Sequence, residues 1–225
     1  MILTVSLIDD AAKLEEINRR IAQLSWRDGR ETAGNVARKV KHNQQADLSN
    51  PEGQVLAKDL IAAVQNHPVV KAVARPRRFS KPLVSRTRDG GHYGAHVDNA
   101  MMQVDGSAMR TDISFTLFLS SPDEYEGGEL VVHSAGATSR IKGQQGELVL
   151  YPSSSIHEVT PVTAGERIAC VGWIESLIPD LAQRELLFDL ENLRTSLRQT
   201  LASSSAELLM LDKTIANLLR MWGRG

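Results

Sequence analysis

His96 and Asp98 stand two residues apart in Gly90-Gly91-His92-Tyr93-Gly94-Ala95-His96-Val97-Asp98. On an extended backbone that spacing points both side chains to one face. An imidazole nitrogen and a carboxylate oxygen then reach a common ion without contortion of the chain. A His-x-Asp pair also arises easily by chance, and alone it describes a hydrogen-bonded pair at a strand end as well as half a metal site. A third donor has to come from elsewhere. His157 qualifies, because it follows the β-prone run 147–151 and the turn Pro152-Ser153-Ser154-Ser155 and opens the next β-prone run.

Two histidines and one carboxylate from separate β-segments form the facial set that non-haem Fe(II) oxygenases use, with three coordination positions left for an oxidisable acid and O2. A structural zinc site closes all four of its positions, whereas a catalytic zinc site shares the three-ligand count. The triad alone therefore leaves the metal open. Arg167, ten residues after His157 and across an expected turn at Thr163-Ala164-Gly165-Glu166, narrows the choice. In 167–173 the alternate positions Arg167, Ala169, Val171 and Trp173 share a face. A guanidinium there holds a carboxylate through two parallel bonds. A five-carbon dicarboxylate would chelate iron with its 2-oxo acid end and meet this arginine with the other. Read alone, Arg167 also fits an exposed hairpin residue paired with Glu166 or Glu158.

The elements that must position these groups fall into three parts of the 225-residue chain. Residues 1–77 read as a mixed, mostly helical support region. A strand over 2–7 precedes a helix capped by Asp9 or Asp10, with Leu14, Ile17, Ile21 and Leu24 on one stripe. Gly29 and Gly34 break that pattern. Asn50-Pro51-Glu52 starts a second helix that ends near His67-Pro68. Residues 78–178 form the core, with β-prone runs at 83–88, 112–119, 129–133, 139–142, 147–151, 158–162 and 167–174. Many short strands at such spacing point to a sandwich, jelly roll or barrel. Residues 179–225 return to helix. Leu186, Leu190, Leu193 and Leu197 form one stripe. Ser204 with Glu207 reads as a capping box for a last helix carrying Leu208, Leu211, Ile215, Leu218 and Trp222. These helices need a surface to pack on, either the β-region or a second copy of the chain as a homo-oligomer.

Composition excludes several classes. Twenty-six basic residues against 27 acidic ones give a net charge of −1, and aromatics are 4%. Neither an electrostatic pull on nucleic acid nor a base-stacking surface follows. The single cysteine, Cys170, excludes a disulfide framework and a cysteine-rich metal site. No apolar run is long enough for a membrane helix, and the N-terminus lacks the basic start of a signal peptide. The expectation is a soluble cytoplasmic protein without a membrane or nucleic-acid partner.

Taken together, the site residues resemble a known family. The stretch from about 86 to 176 is similar to the prolyl-4-hydroxylase-like Fe(II)/2-oxoglutarate dioxygenases. The whole chain resembles the bacterial PKHD-type hydroxylases, a group associated with iron uptake. The resemblance rests on Ser85-Arg86-Thr87-Arg88-Asp89-Gly90-Gly91-His92-Tyr93-Gly94-Ala95-His96-Val97-Asp98-Asn99, on Glu126-Gly127-Gly128-Glu129-Leu130, and on His157 with Arg167 ten residues later. It implies a mixed α/β fold with a mainly β core, a double-stranded β-helix or jelly roll flanked by N-terminal and C-terminal helices. It implies Fe(2+) on His96, Asp98 and His157, the far carboxylate of 2-oxoglutarate on Arg167, and no catalytic side chain beyond these ligands. The implied activity is a hydroxylase that couples oxidative decarboxylation of 2-oxoglutarate by O2 to substrate hydroxylation, with L-ascorbate re-reducing the iron. Asp98 fills the position that related halogenases leave vacant for halide. There is one departure. Collagen-type relatives carry a tyrosine nine residues before the first iron histidine. Here that position is Thr87, and the tyrosine's cosubstrate role is not carried over to it. Tyr93 matches the family pattern, as a pocket-lining or core residue.

Two other functions compete. A non-catalytic metal- or sugar-binding jelly roll has no need of Arg167. A zinc hydrolase on the same triad lacks an evident general base. Elsewhere, Gly127-Gly128 read as a turn or close backbone approach, His133 as a satisfied strand histidine and His92 as a rim residue. Met101, Met102 and Met109 sit in a loop over 99–110, as binding rim or ordinary packing. Cys170 reads as a small buried hydrophobe. Arg75, Arg77, Arg78 and Lys81 read as the solvated approach to a strand. The substrate, whether a protein side chain, a siderophore-type molecule or another metabolite, is not written in these residues.

Overall fold

The computed structural model describes residues 1–32, 37–134 and 136–224; the expected break at Gly34 lies outside them. In chain order its elements are β1 (Leu3–Ser6), α1 (Ala11–Ala22), β2 (Trp26–Asp28), β3 (Lys41–His42), β4 (Gln44–Ala46), α2 (Pro51–Asn66), α3 (Pro68–Ala74), β5 (Pro76–Phe79), β6 (Leu83–Arg88), β7 (His92–His96) and β8 (Met101–Val104). They continue with β9 (Ser107–Arg110), β10 (Ile113–Phe118), β11 (Tyr125–Gly127), β12 (Leu130–Ser134), β13 (Ala137–Ile141), β14 (Glu147–Pro152), β15 (Ile156–Val159), β16 (Val162–Ser176), α4 (Leu181–Leu197) and α5 (Ala206–Trp222).

Helix starts follow from local chemistry. Asp10 accepts the Ala12 N–H at 2.9 Å and caps α1. Asn50 accepts the Gly53 N–H at 2.7 Å, just ahead of Pro51, and opens α2. Both satisfy donors that have no partner within the helix. The cap of α5 is Ser205, whose Oγ accepts from the Leu208 N–H. The Ser204–Glu207 box therefore misses by one residue.

Two antiparallel sheets enclose the core. The larger follows the order β1-β14-β10-β16-β6-β4-β2, with β5 and β11 also paired to β16. The smaller runs β13-β12-β15-β7-β3. Together they form the expected jelly-roll core. Ile113, Phe115 and Leu117 of β10 join Ile17, Ile21, Leu56, Leu60 and Val64 of α1 and α2 in one buried cluster. Each such apolar side chain contributes about 1.5–3 kcal/mol on burial. The alternate residues Ser114 and Thr116 are buried as well, at 2% exposure each, and line a cavity between the sheets. Polar alternates usually mark the solvent face of an antiparallel strand. Here they mark an interior space. Phe118, Leu130, Val132, Val149 and Tyr151 tie the two sheets together beside it.

Several expectations need correction. The strand expected over 2–7 is β1, but the N-terminal region also holds unexpected strands: β2 and β4 extend the larger sheet and β3 pairs with β7. Residues 163–166 do not form a turn. They lie inside the fifteen-residue β16, where Gly165 takes φ 71° and Tyr125 and Glu126 pair alongside. The loop over 99–110 is a β8–β9 hairpin, with Met109 fully buried and Met101 exposed. The arginine cluster is engaged: Arg78 donates to Glu175 at 2.7 Å, to Ser107 Oγ at 2.7 Å and to the Ala108 carbonyl. Arg75 pairs with Glu191 at 2.6 Å. In α4 the inward residues are Leu187 and Leu190, whereas Leu186 and Leu193 are exposed.

Leu187, Ile178 and Ile215 form the buried contact that holds α4 and α5. Leu187→Ala is expected to cost about 2–5 kcal/mol of stability. Thermal unfolding should fall accordingly, while metal titration of the folded variant stays unchanged.

Candidate active site

The pairing of β7 with β15 sets the site. His96 lies directly opposite His157, and Tyr93 opposite Val159. Between these pairs two residues of β7, Gly94 and Ala95, face one of β15, Glu158, so β7 carries one extra residue. Such a bulge re-aims side chains. It brings Tyr93 and His96, three apart in sequence, onto one face, where their rings stack at 3.7 Å between centroids. The His96 and His157 rings lie 4.3 Å apart. Asp98 follows just past the end of β7. One ligating atom from each of His96, Asp98 and His157 lies within 4.8 Å of the others. The spacing argument thus holds for the pair, and His157 arrives across the sheet.

Both imidazoles are oriented alike. His96 Nδ1 is 2.8 Å from the Gly94 carbonyl and His157 Nδ1 is 3.0 Å from the Ser155 carbonyl. A carbonyl only accepts, so Nδ1 carries the proton and Nε2 presents a lone pair. The Nε2 atoms face Asp98, at 3.9 Å from Oδ1 for His96 and 3.6 Å from Oδ2 for His157. Ser114 Oγ donates to Asp98 Oδ2 at 2.6 Å and lies 2.8 Å from Ser153 Oγ. This serine pair fixes the carboxylate from behind. Burial, reinforced by the nearby His157, lowers the His96 pKa from 6.5 to about 4. At neutral pH that ring is the uncharged base a metal requires.

Arg167 projects from β16 into the same cavity and is 2% exposed. It pairs with neither Glu166 nor Glu158. Its Nε and Nη2 are buried without a hydrogen-bond partner, and its guanidinium lies 5.3 Å from the Phe118 ring centroid. Burial presses its pKa below the ordinary arginine value, an effect that neighbouring Tyr125 and Tyr151 oppose. A buried guanidinium without an anion costs several kcal/mol. The site is therefore built to receive one. Gly128 makes room for it: a Cβ there would come within 2.9 Å of Arg167 Cδ, Tyr125 Cε2 and Val162 Cγ2. Its φ of 66° also disfavours any side chain.

The cavity, open to solvent, is lined by the triad, Arg167, Thr87, Tyr93, Tyr151 and Met102, with Leu130, Val159 and Trp173 as apolar wall. It also takes Lys41, Asn43 and Gln45 from the β3–β4 segment. Sequence reading missed these three, as well as Ser114 and Ser153. No periodicity marked Lys41, Asn43 and Gln45, because all of 41–45 (Lys-His-Asn-Gln-Gln) are polar and the strands there are only two and three residues long. His133 is not part of the site; its Nδ1 lies 3.1 Å from Thr138 Oγ1. The His92 ring lies 4.7 Å from that of His42 and tilted to it, outside the triad. Cys170 is fully buried on the far face of β16, and burial raises its thiol to about 12.

Known proteins share this fold. The family described as 2OG-Fe(II) oxygenase superfamily matches residues 82–175. A prolyl hydroxylase from Trichoplax adhaerens, in complex with a hypoxia inducible factor oxygen degradation domain peptide, superposes with TM-score 0.59 at 17% identity, covering 82% of this chain and 86% of that one. HygX from Streptomyces hygroscopicus, with nickel, 2-oxoglutarate and hygromycin B bound, gives TM-score 0.54 at 13% identity over 78% and 82% of the two chains. At such identity these two likenesses concern the fold. Fold and family match define an Fe(II)- and 2-oxoglutarate-dependent dioxygenase.

A second match, described as PKHD-type hydroxylase C-terminal domain, spans residues 182–223, the stretch that holds α4 and α5. A PKHD-type hydroxylase of Hyphomonas neptunium is 50% identical over 209 residues, 93% of each chain. The chain belongs to the PKHD-type hydroxylases.

Two outcomes test this geometry. Ser114→Ala removes the bond to Asp98 and is expected to weaken metal binding about 10–100-fold in anaerobic titration. Lowering the pH of the metal-free protein from 6.5 to about 4 should destabilise it, because the unfolded chain takes up the proton that the folded His96 refuses. His96→Gln should flatten that part of the pH dependence of urea unfolding.

Proposed function

We propose that His96, Asp98 and His157 hold the ferrous ion and that Arg167 holds the distal carboxylate of 2-oxoglutarate, so that the chain hydroxylates an acceptor docked at the cavity mouth. The observation that carries this reading is the pairing of a buried, anion-deficient guanidinium with a three-donor cluster in one cavity. The donor chemistry fits. Two neutral nitrogens and one carboxylate suit ferrous iron and leave coordination positions open. When bound, the metal and cosubstrate supply the oxidative decarboxylation, to succinate and CO2, that accompanies hydroxylation.

The protein's part is orientation and exclusion. The Gly94 and Ser155 carbonyls fix the two imidazoles, and Ser114 fixes Asp98. Thr87 lies across from Arg167 in the β6–β16 pairing and keeps a small polar group where a tyrosine would fill the space. Leu130, Val159 and Trp173 limit water around the reacting centre. A zinc hydrolase fits less well. Among the described residues lining the cavity, Asp98 is the single carboxylate, so no second one stands ready as general base. A purely binding jelly roll gives Arg167 no role.

The same reading assigns 78–178 to the dioxygenase core and 1–77 and 179–225 to its support. It places the enzyme in the cytoplasm with ascorbate as reductant. No helix among the described residues is long and apolar enough to cross a membrane.

Arg167→Ala is expected to weaken 2-oxoglutarate binding about 100-fold while sparing metal affinity. Anaerobic titration of the visible charge-transfer band reads the first and metal titration the second. Equal loss of both would make the arginine structural. His157→Ala is expected to abolish succinate release; unchanged release would remove His157 from the metal shell.

A further inference from the structure

Tyr151, on β14, lies opposite Ser114 of β10, the serine that donates to Asp98. It is 5% exposed, lines the cavity, and sets its ring edge-on to His157 at 5.0 Å between centroids. The side chain thus starts level with the three-donor cluster. Its phenol hydrogen-bonds Thr116, two residues further along the cavity face of β10. Two residues beyond Thr116 is Phe118, and the Arg167 guanidinium lies 5.3 Å from that ring. Ser114, Thr116 and Phe118 alternate along one strand and mark a line of about 13 Å from the donor cluster to the arginine. The phenol oxygen stands at the middle mark.

The direction of each hydrogen bond follows from what the groups can offer. The bond with Thr116 favours the charged form of Tyr151, so the threonine hydroxyl donates and the phenol oxygen accepts. Burial, reinforced by Asp98, holds the phenol far above its ordinary pKa, so it keeps its own proton and remains a donor. Arg167, whose field also reaches the phenol, has only donors to give, and its Nε and Nη2 are without a partner. Donors from two strands therefore converge on the same part of the cavity. An incoming group with two acceptor oxygens serves both.

We propose that Tyr151 donates its phenol O–H to the distal carboxylate of 2-oxoglutarate, sharing that group with Arg167, and is a further specificity-determining residue for the cosubstrate. This assignment rests on the dioxygenase reading. Arg167 supplies the charge that attracts the carboxylate. Tyr151, braced by Thr116, fixes its orientation and the length of chain that reaches it.

The test compares 2-oxoglutarate with 2-oxopentanoate, the same five-carbon 2-oxo acid ending in a methyl group. Each is titrated anaerobically into the full chain loaded with Fe(II), where the visible charge-transfer band reads binding without turnover. Tyr151→Phe keeps the ring beside His157 and removes the hydroxyl alone. It is expected to bind 2-oxoglutarate about tenfold more weakly, the value of one hydrogen bond to a charged group. Its affinity for 2-oxopentanoate should stay within about twofold of the parent. Thr116→Val removes the brace and should weaken 2-oxoglutarate about threefold with the same selectivity. If a melting curve shows that Tyr151→Phe does not fold, Thr116→Val decides. Equal weakening of both acids would make the hydroxyls structural, and undiminished 2-oxoglutarate affinity would remove them from the cosubstrate site; either result overturns the proposal. A parent chain that gives no band, or that does not prefer 2-oxoglutarate to 2-oxopentanoate, would instead sink the dioxygenase reading and the part of Arg167 in it.

Discussion

The pairing of β7 against β15 is the constraint on which the site depends. It puts His96 across from His157, and its one extra residue turns Tyr93 to the same side. A slip of one residue would send an imidazole to the other face of the sheet. The register is held from both flanks, by β12 on β15 and by β3 on β7. The backbone carbonyls of Gly94 and Ser155 then set the rings themselves.

Around that pairing the two sheets divide the labour. The smaller sheet brings the histidines, while the larger brings Ser114, Thr116 and Arg167 on strands whose other face packs against the helices. Arg167 shows the energetic logic. The fold leaves two of its nitrogens unsatisfied in the interior and clears space with Gly128 for the side chain to lie flat. Such an arrangement costs stability. On the proposed assignment of Arg167, the 2-oxoglutarate carboxylate would offset that cost, and stability and cosubstrate affinity would be drawn from the same interaction.

Much of this was legible in the sequence, and the gaps have physical reasons. The i, i+2 relation of His96 and Asp98 is local, and a strand period exposes it. His157 and Arg167 were readable through their separations from strand punctuation and through the family likeness. The role of Ser114 was hidden by its own regularity: an alternating polar residue in a β-run ordinarily faces water, and only the second sheet turns that face inward. Lys41 was hidden because β3 has two residues and no hydrophobic period. Residues 163–166 looked like a turn because Gly165 and its neighbours have turn composition. Pairing with β11 nevertheless keeps the strand continuous through a positive φ. The outward Leu186 and Leu193 show the limit of a stripe, since spacing finds a helix face before packing says which side turns inward.

The β8–β9 hairpin beside the mouth carries Met102 into the lining, and its β9 side is gripped by Arg78, through Ser107, Ala108 and Glu175. Lys81 adds a pair to Asp105 at the hairpin tip, with both side chains largely exposed. This roof is latched in part by ionic and hydrogen-bonded contacts at the surface. Ions in the surrounding medium weaken such contacts far more than they weaken packing. The attachment of the hairpin therefore depends on ionic strength more than the packed core beneath it does.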